Sequence, residues 1–369
     1  MKKIMVLFGT RPEAIKMCPV VKELEKHTDF FETVVCVTGQ HKEMLQQVLD
    51  VFDVKPKFNL NIMKTKQSLF SITQDILGKI ESILDDEKPD LLMVHGDTSA
   101  TFVSALAGFY KNIPVAHVEA GLRTNDIYSP FPEEFNRQAV GVIAKYHFAP
   151  TEMAKNNLLH EGKNENNIYI TGNTAIDALK TTVRNDYHND LLDWVNNDKL
   201  VILTAHRREN IGESMKNMFS AINRVVEENN NIKVVFPIHM NPIVRELADL
   251  YLKSPRIKII EPMDVIDFHN LLNKSYLVLT DSGGIQEEAP SLGKPVLVMR
   301  DTTERPEGVK AGTLKLVGTQ EDTIYNEFTS LLNNPLEYEK MSKASNPYGD
   351  GYASKRIIDI LKADMVKGE

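Results

Sequence analysis

Residues 3–13 read KIMVLFGTRPE, a short apolar run that ends at a glycine and continues into a polar turn. The apolar run predicts a buried strand, and the amphipathic stretch near residues 13–26 predicts a helix. The same rhythm recurs along the chain. Because strands rich in Val, Ile and Leu that alternate with helices form parallel sheets covered on both faces, the pattern predicts an α/β fold.

The rhythm runs in two series, which predicts two domains, each built on a parallel sheet. The polar stretch 164–173 separates the series and is the predicted hinge. We therefore expect an N-terminal domain over residues 1–168 and a C-terminal domain over residues 169–351, with a last helical stretch near 353–363 that could join either. The predicted strands are residues 3–8, 33–38, 91–95, 114–118, 200–204, 233–237, 257–260, 276–280 and 295–299, and further predicted helices lie near 68–86 and 100–110.

The composition is that of a globular protein of 369 residues, with 42% hydrophobic and 25% charged residues. A net charge of -8 argues against nucleic-acid binding, which needs a basic face. The first apolar run is too short for a secretory signal, and no run approaches the roughly 18 residues of a membrane span. We expect a cytoplasmic protein without a membrane partner. Cys18 and Cys36 lie in apolar segments and are predicted to be buried free thiols.

Polar residues are concentrated directly after the predicted strands, where ligands bind in open parallel sheets. One polar loop would mean little, because loops are polar by default. Seven such loops at strand ends favour a binding site. They begin at Gly9, Gly39, His95, Glu119, His206, His239 and Asp281.

The loop Asp281-Ser282-Gly283-Gly284 carries the clearest local pattern, since it follows a predicted strand and opens a helix through Glu288. Glycines let a backbone approach a phosphate closely, and free N–H groups at a helix start attract anions. Glu288 could accept hydrogen bonds from ribose hydroxyls. The alternative is an ordinary Ser/Gly helix start.

Cations and carboxylates also occur at the strand ends. Arg11, Arg207 and Arg208 suit phosphate, because the arginine fork makes paired hydrogen bonds. Lys16 lies beside apolar residues, where the default interpretation is a lysine that extends to solvent.

Asp97 and Glu119 end adjacent predicted strands and are the stronger catalytic candidates. Glu133 and Glu134 open a helix, where a carboxylate has a structural reason to exist through the helix dipole, and Arg137 lies one turn further on.

Several cofactor motifs are missing from the sequence. It contains no GxxxxGK[ST] and no GxGxxG after a strand, so no dinucleotide cofactor is indicated. His95, His117, His206 and His239 lack metal-ligand spacing, so no metal site is predicted.

The ordered motifs of this chain resemble the non-hydrolysing UDP-N-acetylglucosamine 2-epimerases of bacteria. The resemblance runs from residue 4 to about residue 351. It implies the glycosyltransferase-B architecture, with two doubly wound, Rossmann-like domains facing a cleft and the tail helix, residues 352–369, packing back on the first domain. The motifs are GTRPEAIK (9–16), HGDT (95–98), HVEAGLR (117–123), PEE (132–134), TAHRREN (204–210), DSGGIQEE (281–288) and RDTTERP (300–306).

The resemblance also implies residue roles. The catalytic candidates are Lys16, Asp97, Glu119, Glu133, Arg137 and His206, of which Lys16, Asp97, Glu119 and His206 would also touch the substrate. The uridine and phosphate contacts fall on Arg11, Met263, Phe268, Ser282, Gly283, Gly284, Glu288 and Arg305. A possible allosteric site for UDP-N-acetylglucosamine as activator falls on Gln40, Glu43, Lys66, Glu133, Arg207 and His239.

Some family members carry Gln in place of Glu43 and Arg in place of Lys66, and a lysine loses the bidentate phosphate contact of an arginine.

The resemblance also implies a homodimer.

The implied reaction interconverts UDP-N-acetylglucosamine and UDP-N-acetylmannosamine without a cofactor, for cell-surface polysaccharide. UDP leaves C1 as the C2 proton is removed, and UDP then adds back to the resulting glycal. Two faces of C2 need two acid/base groups, which suits several carboxylates. The alternatives are a hydrolysing 2-epimerase, a glycosyltransferase of the same fold, and a non-catalytic sensor.

Overall fold

The computed structural model describes residues 1–39, 42–64 and 67–367. The chain divides into two compact units, the first formed by Met1–Thr181 with Tyr348–Glu369 and the second by Thr182–Pro347.

The first unit is a parallel sheet with helices on both faces. Its strands are β1 (Lys2–Phe8), β2 (Phe31–Val37), β3 (Phe58–Asn59), β4 (Leu91–His95), β5 (Val115–Val118), β6 (Tyr146–Ala149) and β7 (Ile168–Ile170). Its helices are α1 (Arg11–Leu24), α2 (Lys42–Val51), α3 (Leu69–Glu87), α4 (Ser99–Tyr110), α5 (Glu133–Ile143), α6 (Glu152–His160), α7 (Thr174–Thr182) and, from the chain end, α16 (Ala353–Lys367). Short 3-10 helices span Glu25–His27 and Glu165–Asn167.

The second unit repeats this architecture. Its strands are β8 (Lys199–Thr204), β9 (Ile232–Pro237), β10 (Ile257–Ile260), β11 (Leu277–Thr280), β12 (Val296–Val298) and β13 (Leu314–Leu316). Its helices are α8 (Asp190–Val195), α9 (Glu213–Glu228), α10 (Pro242–Tyr251), α11 (Val265–Lys274), α12 (Ile285–Ser291), α13 (Pro306–Ala311), α14 (Glu321–Asn333) and α15 (Pro335–Ser342). A 3-10 helix spans Arg208–Asn210.

The strand order locates the reversal point of each sheet. Within the described residues the first sheet has the order β3-β2-β1-β4-β5-β6-β7 and the second has the order β10-β9-β8-β11-β12-β13. All strand pairs are parallel. On one side β1 pairs with β2, from Lys2 with Phe31 to Phe8 with Val37, and on the other side it pairs with β4, where Ile4 lies opposite Leu91. The order reverses between β1 and β4 and between β8 and β11. Ligands bind at such points, outside the carboxyl ends of the strands.

Local sequence explains the entry into α1. Thr10 caps the helix, its side chain accepts from Glu13 N, and the Glu13 carboxylate accepts from Thr10 N, which forms a capping box. Pro12 stands in the first turn, where its missing N–H costs nothing. The helix therefore starts directly after the strand, and it holds the loop at the sheet's carboxyl edge.

The predicted α/β class with two Rossmann-like units is confirmed. The predicted boundary between residues 168 and 169 is wrong, because β7 begins there and pairs with β6 in the first sheet. Residues 164–173 are therefore not a hinge but the last strand of the first unit and its flanks. The tail helix α16 packs on α1, within the first unit.

Strands β3, β6, β7 and β13 were not predicted. They have two to four residues each.

Cys18 and Cys36 are free and buried, as predicted, and burial raises the pKa of each thiol to about 12. In the described ranges, no helix is both long and apolar enough to cross a membrane.

Candidate active site

Glu13 joins the two loops at the reversal point of the first sheet. Its carboxylate is buried and accepts from Gly9 N at 3.0 Å and Thr10 N at 2.7 Å. The other oxygen accepts from the hydroxyls of Thr98 at 2.8 Å and Thr101 at 2.9 Å. The loops after β1 and β4 are therefore held together by one carboxylate. This role of Glu13 was not predicted from the sequence, although its capping-box spacing from Thr10 could have indicated it.

Glu119 lies at the same edge, and its position is fixed by its backbone and by neighbouring side chains. It directly follows β5 and has a φ of 63°, in the left-handed region that non-glycine residues rarely occupy. Its Oε2 forms an ion pair with Lys16 and accepts from Asn173 Nδ2 at 2.8 Å, and His95 Nε2 lies 3.7 Å away. Lys16 therefore does not extend to solvent, contrary to the default interpretation.

The charge of Glu119 is stabilised by these neighbours. Burial disfavours the ionised form, but the attraction of Lys16 and His95 outweighs burial and holds the pKa of Glu119 well below its usual range. Glu119 is thus ionised at neutral pH. His95 is itself buried, and among the described residues neither of its ring nitrogens has a hydrogen-bond partner.

Asp97 pairs with Arg137 at the end of the neighbouring strand. Arg137 Nε donates to Asp97 Oδ2 at 2.8 Å, and its Nη2 lies 2.7 Å from the same oxygen. Asn136 Nδ2 donates to the main-chain oxygen of Asp97. Burial works against the guanidinium charge, but Asp97 and Glu134 outweigh it and raise the pKa of Arg137. The pair places a second carboxylate, held by a cation, one strand away from Glu119, since β4 and β5 are adjacent.

Glu134 is structural, but not as a helix cap. It is fully buried and accepts from Thr124 N at 3.1 Å, Asn125 N at 3.3 Å and Arg137 Nη1 at 3.1 Å. It shapes the loop before α5 and orients Arg137. Glu133 is half-buried, and its side chain has no hydrogen bond to the rest of the described chain.

Asp281 organises the reversal point of the second sheet. It is fully buried and accepts from the main-chain nitrogens of His206 and Arg207 at 2.9 Å each and from Asn210 Nδ2 at 3.2 Å. His206 stacks on His239, with ring centroids 5.6 Å apart. Burial is the largest effect on the pKa of His206 and lowers it despite the attraction of Asp281. The loop after β8 is therefore fixed to the loop after β11.

Gly283 lies against the guanidinium of Arg305. A Cβ at this position would be 2.6 Å from Arg305 Nη1, so a side chain here would force the guanidinium to shift. Arg305 is buried and donates to Glu287 Oε1 at 2.7 Å and to Glu304 Oε1 at 2.9 Å. The Ser282-Gly283-Gly284 backbone thus lies beside a fixed cation.

Glu304 gathers three arginines around this loop. Arg300 Nη1 donates to it at 2.7 Å and Arg207 Nη2 at 3.3 Å, in addition to Arg305. Burial works against its charge, but Arg305 and Arg300 hold the pKa of Glu304 at about 2. A dense cationic cluster is the kind of surface that binds phosphate.

Glu288 lies near a buried histidine. His269 Nε2 is 3.7 Å from Glu288 Oε2, and its Nδ1 is 2.7 Å from Thr182 Oγ1. Met263 and Phe268 are half-buried and pack on the apolar core that includes Ile285. Glu288 lies on α12, and Met263 and Phe268 pack on the apolar cluster to which α12 contributes Ile285.

A model of the family described as UDP-N-acetylglucosamine 2-epimerase matches residues 22–362. The chain belongs to the UDP-N-acetylglucosamine 2-epimerase family. It is 60% identical over 360 residues to the UDP-N-acetylglucosamine 2-epimerase of Bacillus subtilis, which covers 97% of this chain and 94% of that protein.

Two solved structures of similar proteins hold nucleotides. The UDP-GlcNAc 2-epimerase from Neisseria meningitidis, bound to UDP-GlcNAc, is 49% identical with a TM-score of 0.91, covering 98% of this chain and 100% of that one. The S. aureus MnaA-UDP co-structure is 52% identical with a TM-score of 0.92, covering 99% of this chain and 97% of that one. The predicted family of non-hydrolysing 2-epimerases and the predicted enzyme class, an isomerase, are confirmed.

Some residues of this epimerase site were missed in the sequence. Asp281, Arg300, Glu304 and Asn173 were assigned no role, because each acts through partners far away in the chain. Asp281 and Glu304 lie in two of the family motifs, and only the structure reveals that the Asp281 carboxylate is buried and that Glu304 is paired with arginines.

The predicted allosteric residues of the epimerase are only partly visible. Gln40 and Lys66 lie outside the described residues, as does the side chain of Glu43. Arg207 is held by Glu304, and His239 is held by stacking on His206. Across residues 1–39, 42–64 and 67–367, no group of three or more His, Cys, Asp or Glu side chains could hold a metal ion.

Proposed function

We propose that the chain reversibly converts UDP-GlcNAc into UDP-N-acetylmannosamine by eliminating UDP and adding it back. The observation that carries the proposal is the pair of carboxylates, Glu119 and Asp97, at the carboxyl ends of adjacent strands, each held by its own cation. The relatives bound to UDP and UDP-GlcNAc support the substrate class.

The chemistry requires two proton transfers and one departing diphosphate. A carboxylate takes the C2 proton, and the electron pair of the C2–H bond forms a double bond between C1 and C2. At the same time the C1–O bond breaks, and its electron pair leaves with the UDP oxygen. UDP then returns to C1 as a proton is delivered to the opposite face of C2. Asp97, Glu119 and Glu133 are the proposed acid/base and charge-balancing groups, because acid/base catalysis needs positioned carboxyls. Lys16 and Arg137 hold two of them in place.

The second unit supplies the proposed UDP contacts. The Ser282-Gly283-Gly284 backbone beside Arg305 is proposed to hold the diphosphate, and Glu288 to accept from the ribose. His206 and Arg11 are proposed as further phosphate ligands. Arg11→Ala and Glu288→Ala should each weaken UDP binding measured by calorimetry. Unchanged affinity in both variants would remove these two residues from the site.

Proton NMR in deuterated water tests the reaction itself. Purified protein should turn UDP-GlcNAc into a mixture with UDP-N-acetylmannosamine that carries deuterium at C2, because the abstracted proton exchanges with solvent. A glycosyltransferase would leave C2 unlabelled, a sensor would not turn over, and a hydrolysing enzyme would release free sugar and UDP. Epimerised product without C2 deuterium would contradict the elimination route.

The product is proposed to serve cell-surface polysaccharide synthesis, as in the family. Two further predictions are a homodimer and activation by UDP-GlcNAc at the predicted allosteric residues. Light scattering of the purified chain tests the first, and the dependence of the reverse reaction on added UDP-GlcNAc tests the second.

A further inference from the structure

Asn173 is a buried residue that makes hydrogen bonds in three directions. Its Nδ2 donates to Glu119 Oε2 at 2.8 Å, and its Oδ1 accepts from Ala175 N at 2.9 Å at the start of α7. Its main-chain nitrogen donates to Tyr348 O at 2.7 Å. Asn173 therefore links a proposed catalytic carboxylate, through its side chain, to the stretch where the chain returns to the first unit, through its main chain.

The backbone around Asn173 is held closely. Gly172 has a φ of 87°, and a Cβ there would be 3.3 Å from Gly349 Cα, so the two chain segments touch through glycines. Arg356 Nη1 donates to Thr171 O at 3.1 Å. With its peptide and its Oδ1 both engaged, the Asn173 amide has little freedom to leave Glu119.

The two oxygens of Glu119 differ in their surroundings. Oε2 has the Lys16 ammonium and the Asn173 amide as partners, with His95 Nε2 at 3.7 Å. Oε1 has no hydrogen bond to any described residue, and a Cβ at Gly96 would still lie 3.8 Å from it. The charged or titratable groups that act on this carboxylate are Lys16, His95 and Arg137. One oxygen is thus held and the other is left available.

We propose that Asn173 is a positioning residue for the epimerisation, holding Oε2 so that Oε1 of Glu119 is the oxygen presented to the substrate. The proposal rests on the proposed function, because it gives Asn173 a role only through Glu119. Lys16 supplies the charge that keeps Glu119 ionised. Asn173 supplies direction, because an amide donor on a fixed backbone defines one orientation of the carboxylate.

Two substitutions separate this role from helix capping. Asn173→Asp keeps an acceptor for Ala175 N but replaces the donor with a second anion beside Glu119. Asn173→Ser also keeps a capping oxygen, yet its side chain is too short to reach Glu119. We expect kcat to fall about tenfold or more in both, the scale of a lost charge-assisted hydrogen bond, with little change in KM.

The pH profile provides the readout that a purely structural role would not change. A like charge beside Glu119 raises its pKa, so the acidic limb of the Asn173→Asp profile should move to higher pH. Asn173→Ser should move in the same direction by less. Asn164→Asp is the matched control, because Asn164 is an exposed cap that accepts from Asn166 N at 3.0 Å. It is not among the hydrogen-bond or ion-pair partners of Glu119. This variant should keep the wild-type kcat and profile.

The proposal is overturned if both Asn173 variants retain the wild-type kcat and pH profile, or if only KM changes. Thermal melts establish that each variant is folded, and if Asn173→Asp does not fold, Asn173→Ser decides. Wild-type protein that fails to epimerise UDP-GlcNAc would refute the proposed function itself. Active wild-type protein with unaffected Asn173 variants would refute only the positioning role.

Discussion

Alanine at position 283 would place a methyl group against a buried guanidinium. The added Cβ would lie 2.6 Å from Arg305 Nη1 and 2.9 Å from Arg305 Cζ, well inside normal contact distance. The guanidinium would have to move. It is not free to do so, because it donates to Glu287 Oε1 at 2.7 Å and to Glu304 Oε1 at 2.9 Å in a buried environment.

The cost follows from those two bonds. On an exposed surface an arginine would swing aside for less than about 0.5 kcal/mol. Here, charge-assisted hydrogen bonds contribute about 1.5–3 kcal/mol each, and overpacking a dense region costs about 1–3 kcal/mol. Partial relaxation should preserve one of the two bonds. We therefore expect Gly283→Ala to lower the free energy of unfolding of the second unit by about 1–3 kcal/mol.

Two other glycines are matched controls. A Cβ at Gly284 would lie 3.8 Å from Glu288 Oε1, an ordinary contact, and the residue has a φ of -61°. Gly284→Ala should change stability by less than about 0.5 kcal/mol. Gly78 is exposed within α3, and a Cβ there would meet nothing within 4 Å. Gly78→Ala should stabilise the first unit by about 0.5–1 kcal/mol.

Urea denaturation of the three variants, followed by fluorescence and circular dichroism, measures these differences. UDP calorimetry on the same samples shows whether Gly283→Ala also weakens nucleotide binding, as a displaced Arg305 would require. The reasoning fails if Gly283→Ala is as stable as Gly284→Ala, because the guanidinium would then have moved without cost.

Three further outcomes are expected. Asp97→Asn and Glu119→Gln should retain UDP affinity by calorimetry while losing about 10²-fold or more in turnover by NMR assay; wild-type turnover in either would contradict the assignment. Lys16→Met should cost about 3–5 kcal/mol at pH 7 by urea denaturation, because it strands a buried carboxylate. The wild-type pKa of Glu119 lies below its ordinary 4.5, so its contribution is present above pH 4.5 and lost as the pH falls through the folded-state pKa. The difference between Lys16→Met and wild type should therefore shrink as the pH falls below 4.5 toward the folded-state pKa of Glu119, and a difference independent of pH would count against the ion pair. Arg305→Lys should weaken UDP binding about tenfold, since an ammonium cannot serve Glu287, Glu304 and a phosphate together; an unchanged Kd would exclude Arg305 from the UDP site.

The pattern of short apolar runs and polar strand ends was sufficient to predict the α/β class and two domains, each built on a parallel sheet. Each run is long enough to be buried as one strand, and the alternation with helices leaves only a parallel sheet. The same pattern failed for the short strands β6 and β7, and so the predicted unit boundary was wrong. A strand of three or four residues is stabilised by its neighbours in the sheet, which local sequence does not contain.

The residue types at the strand ends were also evident from the sequence, because chemistry at a carboxyl edge needs polar side chains there. The partners of these side chains were not evident from the sequence. The apolar neighbours of Lys16 suggested a lysine that extends to solvent, although the family resemblance made it a catalytic candidate, and the structure pairs it with Glu119, 103 residues away. Asn173 reaches the same carboxylate across 54 residues, and Arg305 meets Glu287 across 18.

The sequence by itself therefore determined the α/β class, the longer apolar strands and which chemical groups stand at their ends, since these depend on neighbouring residues. Only the tertiary structure decided which carboxylate is held by a cation, which oxygen of Glu119 has no hydrogen bond within the described residues, and why a Cβ at Gly283 would displace Arg305. Those properties depend on burial and on charges brought together from distant parts of the chain, and the interaction between two charges is set by their distance in space and the water between them.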